Sequence, residues 1–329
     1  MKDSSIYKKV YGCLIGGLIG DAMGAPVETK HYKEIEKEYG QVDDFEGDGT
    51  DDSAIKLILC EAIISNNGYI TADEFAEAFL NNNQYYNLFY IPVRNMFHKL
   101  KSSVVLPVNA GMGNMQSSSS AMSISPMGLI NACNPRQAAL ETYDVAGLIH
   151  SGDTNFCRDA ACAMAAAVAE AMKPETTVEE IICAATKYLH KTSSKVMISR
   201  IQEVMDLAKS VNDYRTFREQ FYESFLCEDL CDSRETVPCV LALFYLADGD
   251  PVKSIIYGAN FGRDADTIAT MVGALAGAYK GVDGLRPEWV EKVKANSPMQ
   301  EELAQKLVDI ILLRREDMKK SMDLVEGLI

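Results

Sequence analysis

Two short acidic segments carry the side chains best suited to chemistry. Thr50, Asp51, Asp52 and Ser53 precede one stretch of helical apolar spacing, and Asp264, Asp266 and Thr267 precede another. Asp21 and Glu28 form a third group, at the end of a glycine-rich segment. A single Asp or Thr before a helix is an ordinary N-cap, accepting a backbone N–H and favouring the helix dipole. A cap needs one oxygen, and a second carboxylate beside it adds repulsion unless a cation offsets it. Carboxylates and threonine hydroxyls without His or Cys are hard oxygen donors, suited to Mg²⁺, Mn²⁺ or Ca²⁺ rather than zinc or copper. The spacing is not that of an EF-hand, which requires Gly at its sixth position and Glu at its twelfth. Together the two segments could surround a pair of cations, an arrangement that orients a water or hydroxyl and polarises a leaving group.

The elements that must hold these groups read as helices. Ile55, Ile58, Leu59, Ala62 and Ile63 repeat on one helical face, as do the apolar positions of Val178 to Tyr188 and Leu303 to Leu313. Ala160 to Met172 predicts a helix buried on most sides, preceded by Arg158 and Asp159 and stopped by Pro174. Ser103 to Val108 is the best strand candidate, and loops are expected over Gly40 to Gly49, Asn81 to Asn87, Asn109 to Ser120 and Gly249 to Pro251. The expectation is about a dozen helices in an all-α chain. Two segments carry small residues every fourth position: Gly12, Gly16, Gly20, Gly24, and Ala265, Ala269, Gly273, Gly277, Gly281. Glycine inside a helix costs about 1 kcal/mol relative to alanine. Repeated along one face, that cost suggests close helix packing, which would hold polar groups at the helix ends in a fixed arrangement.

Composition narrows the classes. The chain has 329 residues, 47% hydrophobic and 24% charged, which fits a globular protein and argues against disorder. No interdomain linker is evident, so residues 1–329 are expected to form one domain. The formal charge of −15 argues against a general nucleic-acid surface. Val10 to Val27 contains Asp21 and five glycines and makes a poor membrane span. The N-terminus lacks a signal-peptide pattern, and the nine cysteines contain no CxxC, so a reduced cytoplasmic setting is expected. Cys13, Cys60, Cys162, Cys183 and Cys239 read as buried apolar positions, and Cys227 and Cys231 as a poor zinc pair with no His nearby.

In four segments the chain resembles the ADP-ribosylglycohydrolase family, which includes dinitrogenase reductase-activating glycohydrolase and the ADP-ribosyl-acceptor hydrolases. They are GCLIGGLIGDAMGAPVE (Gly12 to Glu28), GTDDSAIKLIL (Gly49 to Leu59), GLIHSGD (Gly147 to Asp153) and GRDADTIATMVGALAGAYKG (Gly262 to Gly281), in family order. The resemblance implies a multi-helix orthogonal bundle with two Mg²⁺ ions, or Mn²⁺, in a cleft. The family's ligand positions fall on Thr50, Asp51, Asp52, Asp264, Asp266 and Thr267, and a further family acid falls on Glu28. The implied reaction is hydrolysis at the anomeric carbon of ribose. Its transition state carries positive charge on the sugar, which carboxylates stabilise. Glu28, Asp51 or Asp52 would take a proton from the attacking water, or all three would only ligate metal.

The sequence departs from the family pattern in two places. Where relatives read GGDTDT, this chain has Arg263 for a glycine and Ala265 for a threonine. Arg263 is expected either to contact substrate or to form a structural salt bridge. A glycine-rich Asn-Gly stretch with a Met-Arg pair is replaced by Ser118, Ser119, Ser120, Ala121, Met122 and Ser123. Ser118, Ser119, Ser120, Met122 and Ser123 are expected to contact substrate, as is His150 by its family position; a buried core histidine is the alternative. The expected partner is a ribosylated small molecule or an ADP-ribosylated protein, met by a monomer without nucleic acid or membrane. The altered loop leaves a nucleoside or N-riboside hydrolase as an alternative. A non-catalytic, crystallin-like relative is a further one, against which the retained acids argue. An isoprenoid-type diphosphate enzyme would be expected to bring DDxxD, and Asp51 to Ile55 lacks the last acid.

Overall fold

The computed structural model describes residues 2–211 and 213–329. These form 16 α-helices and six short 3₁₀ turns, with isolated bridges but no strand among the described residues. The expected apolar faces are buried: Ile55, Ile58, Leu59, Ala62 and Ile63 all lie in the core, on helix Asp51–Ser65. The alanine-rich helix runs Asn155–Ala171 and buries nearly every residue from Cys157 onward. It starts earlier than its apolar run suggested, so Arg158 and Asp159 lie inside it rather than before it. Ser103 to Val108 is not a strand. Val104 and Leu106 are about 70% exposed and the segment ends in the 3₁₀ turn Pro107–Asn109, because no neighbouring edge offers backbone partners. Cys13, Cys60, Cys162 and Cys239 are buried, whereas Cys183 sits on the solvent side of its helix.

The centre of the fold is one antiparallel helix pair, Ser5–Gly24 against Ala265–Lys280. The two small-residue stripes face each other in register. A Cβ added to Gly12 would meet the Gly277 and Gly281 backbone. One on Gly16 would meet the Gly273 carbonyl, one on Gly20 the Ala269 carbonyl, and one on Gly24 the Asp266 backbone. The contact is therefore backbone against backbone. Helix Ser5–Gly24, extended to Val27, is long and apolar enough to cross a membrane by composition, but 89% of its apolar window is buried inside the protein. The stripe ends where the acids begin. Beyond Gly24 the chain turns back so that Thr29 N–H donates to the Arg263 carbonyl (2.7 Å) and Arg263 N–H to the Lys30 carbonyl (2.9 Å). These bonds tie the segment of Glu28 to the segment of Asp264.

Candidate active site

The N-termini of helices Asp51–Ser65 and Ala265–Lys280 open onto one cavity of about 680 Å³. Five carboxylates line it: Glu28, Asp51, Asp52, Asp264 and Asp266, together with Thr50 and Thr267. The acids fall into two groups close enough to share an ion. Asp21, Asp52 and Asp266 have oxygens within 4.8 Å of one another, and so do Glu28, Asp264 and Asp266. Asp266 belongs to both groups.

Hydrogen bonding separates capping from the rest. Thr50 is the N-cap of helix Asp51–Ser65, accepting from Asp52 N–H. Behind it, the fully buried Asp21 accepts from Thr50 N–H (3.0 Å), Thr50 Oγ1 (2.9 Å), Ser53 N–H (3.0 Å) and Ser53 Oγ (2.5 Å). Asp264 occupies the cap position of its helix without capping it; its Oδ2 instead accepts from Ser118 Oγ at 2.9 Å. Asp52 is the least satisfied. It is 1% exposed, its Oδ1 has no partner, and its Oδ2 has only long contacts to Thr267 Oγ1 (3.3 Å) and Thr50 Oγ1 (3.4 Å). A buried carboxylate oxygen with no donor is costly. The set is all oxygen, and it holds a buried carboxylate oxygen with no donor, so these residues fit a divalent cation.

Burial and mutual repulsion raise every acid in the group. Asp52 is pushed well above its ordinary range by burial and then by Asp21 and Asp266. Asp266 is raised likewise by burial and then by Asp264. Asp264 is raised to about 7 and Asp51 to about 6, burial leading in both. Glu28 and Asp21 shift up chiefly by burial. A carboxylate whose folded pKa exceeds its unfolded value lowers stability as pH rises from the unfolded value through the folded one. The metal-free protein should therefore lose stability between about pH 4 and pH 7. Cation binding needs the deprotonated acids, so the melting-temperature gain from added Mg²⁺ should be small near pH 5 and several degrees near pH 7.5. Thermal scans in Mg²⁺ and in chelator at both pH values check this, and an equal gain at each would contradict it.

The structure sorts the expected substrate contacts. Ser118, Ser119 and Met122 line the cavity. Ser120, Ser123 and His150, expected to contact substrate, do not line it; all three are buried within the fold. The His150 Nε2 lies 3.2 Å from the Met115 carbonyl, which can only accept, so Nε2 carries the proton. Nδ1 then accepts from Ser120 Oγ at 2.6 Å. Burial lowers His150 to about 4, so the ring is a neutral brace for the loop. Arg263 is also outside the cavity. Its guanidinium pairs with the buried Glu235 through Nε and Nη2, both at 2.8 Å, and donates to the Cys227 carbonyl. Its φ of +60° is a left-handed conformation that a glycine would adopt without strain. The bidentate pair with Glu235 holds it there, as the salt-bridge alternative expected.

Other lining residues have weaker sequence signals. Leu88, Phe89 and Tyr90 form one wall, with Tyr90 N–H donating to Asp51 Oδ2 at 3.3 Å. The Tyr85 to Tyr90 region is thus partly at the cavity, whereas Val104 and Leu106 are not. Ile91, Arg94, Leu230 and Cys231 complete the rim. Burial raises the Cys231 thiol to about 12, and the metal-capable clusters among the described residues contain only carboxylates. Asp43, Asp44, Glu46 and Asp48 are exposed; Asp44 pairs with Lys292 at 2.7 Å and Asp48 accepts from Ser297 Oγ at 2.8 Å.

The fold is all-helical, and two carboxylate triads that could hold a cation meet beside one cavity at the ends of its central helix pair. The chain belongs to the ADP-ribosylglycohydrolase family, whose sequence model matches residues 2–319. It is 26% identical over 309 residues to the ADP-ribosyl-[dinitrogen reductase] glycohydrolase of Rhodospirillum rubrum, covering 89% of this chain and 92% of that one. It is 23% identical over 329 residues to the ADP-ribosylhydrolase ARH3 of Homo sapiens, covering 84% and 87%. A solved ADP-ribosylglycohydrolase-related protein complex shares the fold with a TM-score of 0.70 at 20% identity, over 93% of this chain and 99% of that one.

Proposed function

We propose that the protein is a Mg²⁺-dependent hydrolase of an ADP-ribosyl linkage, cleaving the bond at the anomeric carbon of ribose. The observation that carries this is the pair of carboxylate triads sharing Asp266, four of whose five members line the cavity. Family membership and the names of the full-length relatives support it. Asp21, Asp52, Asp264, Asp266 and Glu28 would hold two ions, with Thr50 and Thr267 beside them. Bound there, the ions would supply positive charge for the ribose hydroxyls and for the attacking water. The acids would stabilise the charge that develops on the sugar as the bond breaks. Asp51 lies outside both triads but in the cavity wall, its Oδ2 held by Tyr90 N–H. Asp51, or Glu28 where it does not ligate an ion, would accept the proton of the water.

The serine loop favours a second reading, a nucleoside or N-riboside hydrolase, because Ser118 and Ser119 present hydroxyls and no cation to the cavity. Incubation with Mg²⁺ and ADP-ribosyl-arginine, ADP-ribosyl-serine, O-acetyl-ADP-ribose or a nucleoside panel separates the two. Release of ADP-ribose is the expected result; release of ribose from nucleosides alone would replace the first reading with the second. Metal binding without turnover would leave a binding role.

A further inference from the structure

The cavity is electrostatically lopsided. Five carboxylates line it, and a substrate with negative groups must keep them away from those acids unless cations intervene. Among the lining residues the single cationic side chain is Arg94. It stands one turn into helix Ile91–Lys101, on the rim formed with Leu88, Tyr90 and Ile91. Its guanidinium is placed but not consumed. Nη2 donates to the Asn87 carbonyl at 2.9 Å, and the group lies 5.7 Å from the Tyr86 ring centroid. Among the described residues its Nε and Nη1 have no acceptor and no carboxylate pairs with it, unlike Arg218, Arg234, Arg263 and Arg314. A planar fork held by one N–H, with others open at a cavity mouth, suits a bidentate oxyanion such as a phosphate.

We propose that Arg94 is the specificity-determining residue that reads the anionic part of the substrate, the diphosphate of an ADP-ribosyl group, in the cavity that the carboxylates line. This rests on the proposed function and deepens it. Ribose at the acids and phosphate at Arg94 would orient the substrate along the cavity, so that the serine loop need supply no cation. Arg94 acts by binding, remote from the bond that breaks, so its loss falls on KM more than on kcat.

Calorimetry in Mg²⁺ compares ADP-ribose with adenosine on the wild type, Arg94→Ala and Arg94→Lys. The side chain is exposed, so both variants should fold, which circular dichroism checks. The wild type should prefer ADP-ribose. Arg94→Ala should lose about tenfold or more in ADP-ribose affinity and leave adenosine within about twofold, since hydrogen bonds to charged groups are the strong ones. Arg94→Lys should recover part of the loss, keeping charge but not the fork. The proposal is overturned if Arg94→Ala binds ADP-ribose as the wild type does, if it loses both ligands equally, or if the wild type does not prefer ADP-ribose. The hydrolysis panel decides the reaction separately: turnover of ADP-ribosyl conjugates with unchanged Arg94→Ala binding would refute Arg94 alone. Absence of turnover with Arg94-dependent ADP-ribose binding would refute the reaction alone.

Discussion

Gly20→Ala should unfold the protein at lower temperature, although the substitution raises helix propensity. Considered alone, helix Ser5–Gly24 would gain about 1 kcal/mol from the change. The new methyl would land on the Ala269 carbonyl and the Thr270 nitrogen of the partner helix, all of it backbone. No rotamer relieves that clash, so the helices must separate along their whole shared length. Overpacking of this kind costs about 3 kcal/mol, the upper part of its usual range. For a chain of this size that corresponds to a fall of roughly 4 °C in melting temperature. Gly16→Ala, against the Gly273 carbonyl, should behave alike, whereas Gly47→Ala, with nothing within 4 Å, should change little beyond its own left-handed backbone. Gly24→Ala adds a diagnostic, because its methyl would press on the Asp266 nitrogen and Cα. That variant should lose cation affinity as well as stability. Differential scanning calorimetry of the four variants, with and without Mg²⁺, tests the point. A melting temperature for Gly20→Ala at or above wild type would show that the helices are not in backbone contact.

The same helix pair explains how far the sequence was legible. Periodicity gave the helices, because a buried face repeats its apolar residues locally, as Ile55 to Ile63 do. The glycine stripes also gave a non-local contact, since a repeated helix cost on one face has few other returns. Acid pairs exceeding the needs of a cap pointed to the acids that cluster at the cavity, because Asp52 and Asp266 carry more oxygens than helix starts consume. Other features depend on chain segments that meet only in three dimensions. His150 and Arg263 have types that suit substrate contact, yet Ser120 and Met115 turn one inward and Glu235 captures the other. Neither partner is marked by spacing. Asp21 was visible as an acid but not as the acceptor that fixes Thr50 and Ser53. Arg94 resembles any exposed helix charge until the Leu88 to Ile91 and Leu230 to Cys231 segments are seen to share its cavity.

Asp266→Ala should abolish divalent-cation binding while leaving the metal-free protein as stable as the wild type or more so. Both triads contain Asp266, so its removal leaves each with two carboxylates. Loss of groups that only orient ligands already lowers metal affinity 10–100-fold, so losing a shared ligand should exceed about 100-fold. The metal-free fold has little to lose. The Asp266 carboxylate accepts one bond, from Thr267 N–H at 2.9 Å, an amide in the first turn of its helix. Against that, its pKa is raised well above the ordinary value by burial and by Asp264, Glu28 and Asp21. Above the unfolded pKa, such a group destabilises the folded state, and deleting it relieves its neighbours, Asp52 included. The variant should therefore show near-native helical circular dichroism, an unchanged or higher melting temperature in chelator near pH 7.5, and no further gain in Mg²⁺. Asp44→Asn removes the same charge from an exposed acid paired with Lys292 and should keep the full Mg²⁺ gain. Calorimetric titration of both variants decides the matter. Undiminished Mg²⁺ affinity in Asp266→Ala would show that the two triads do not share an ion site. A large loss of stability in chelator would show instead that Asp266 is a structural cap.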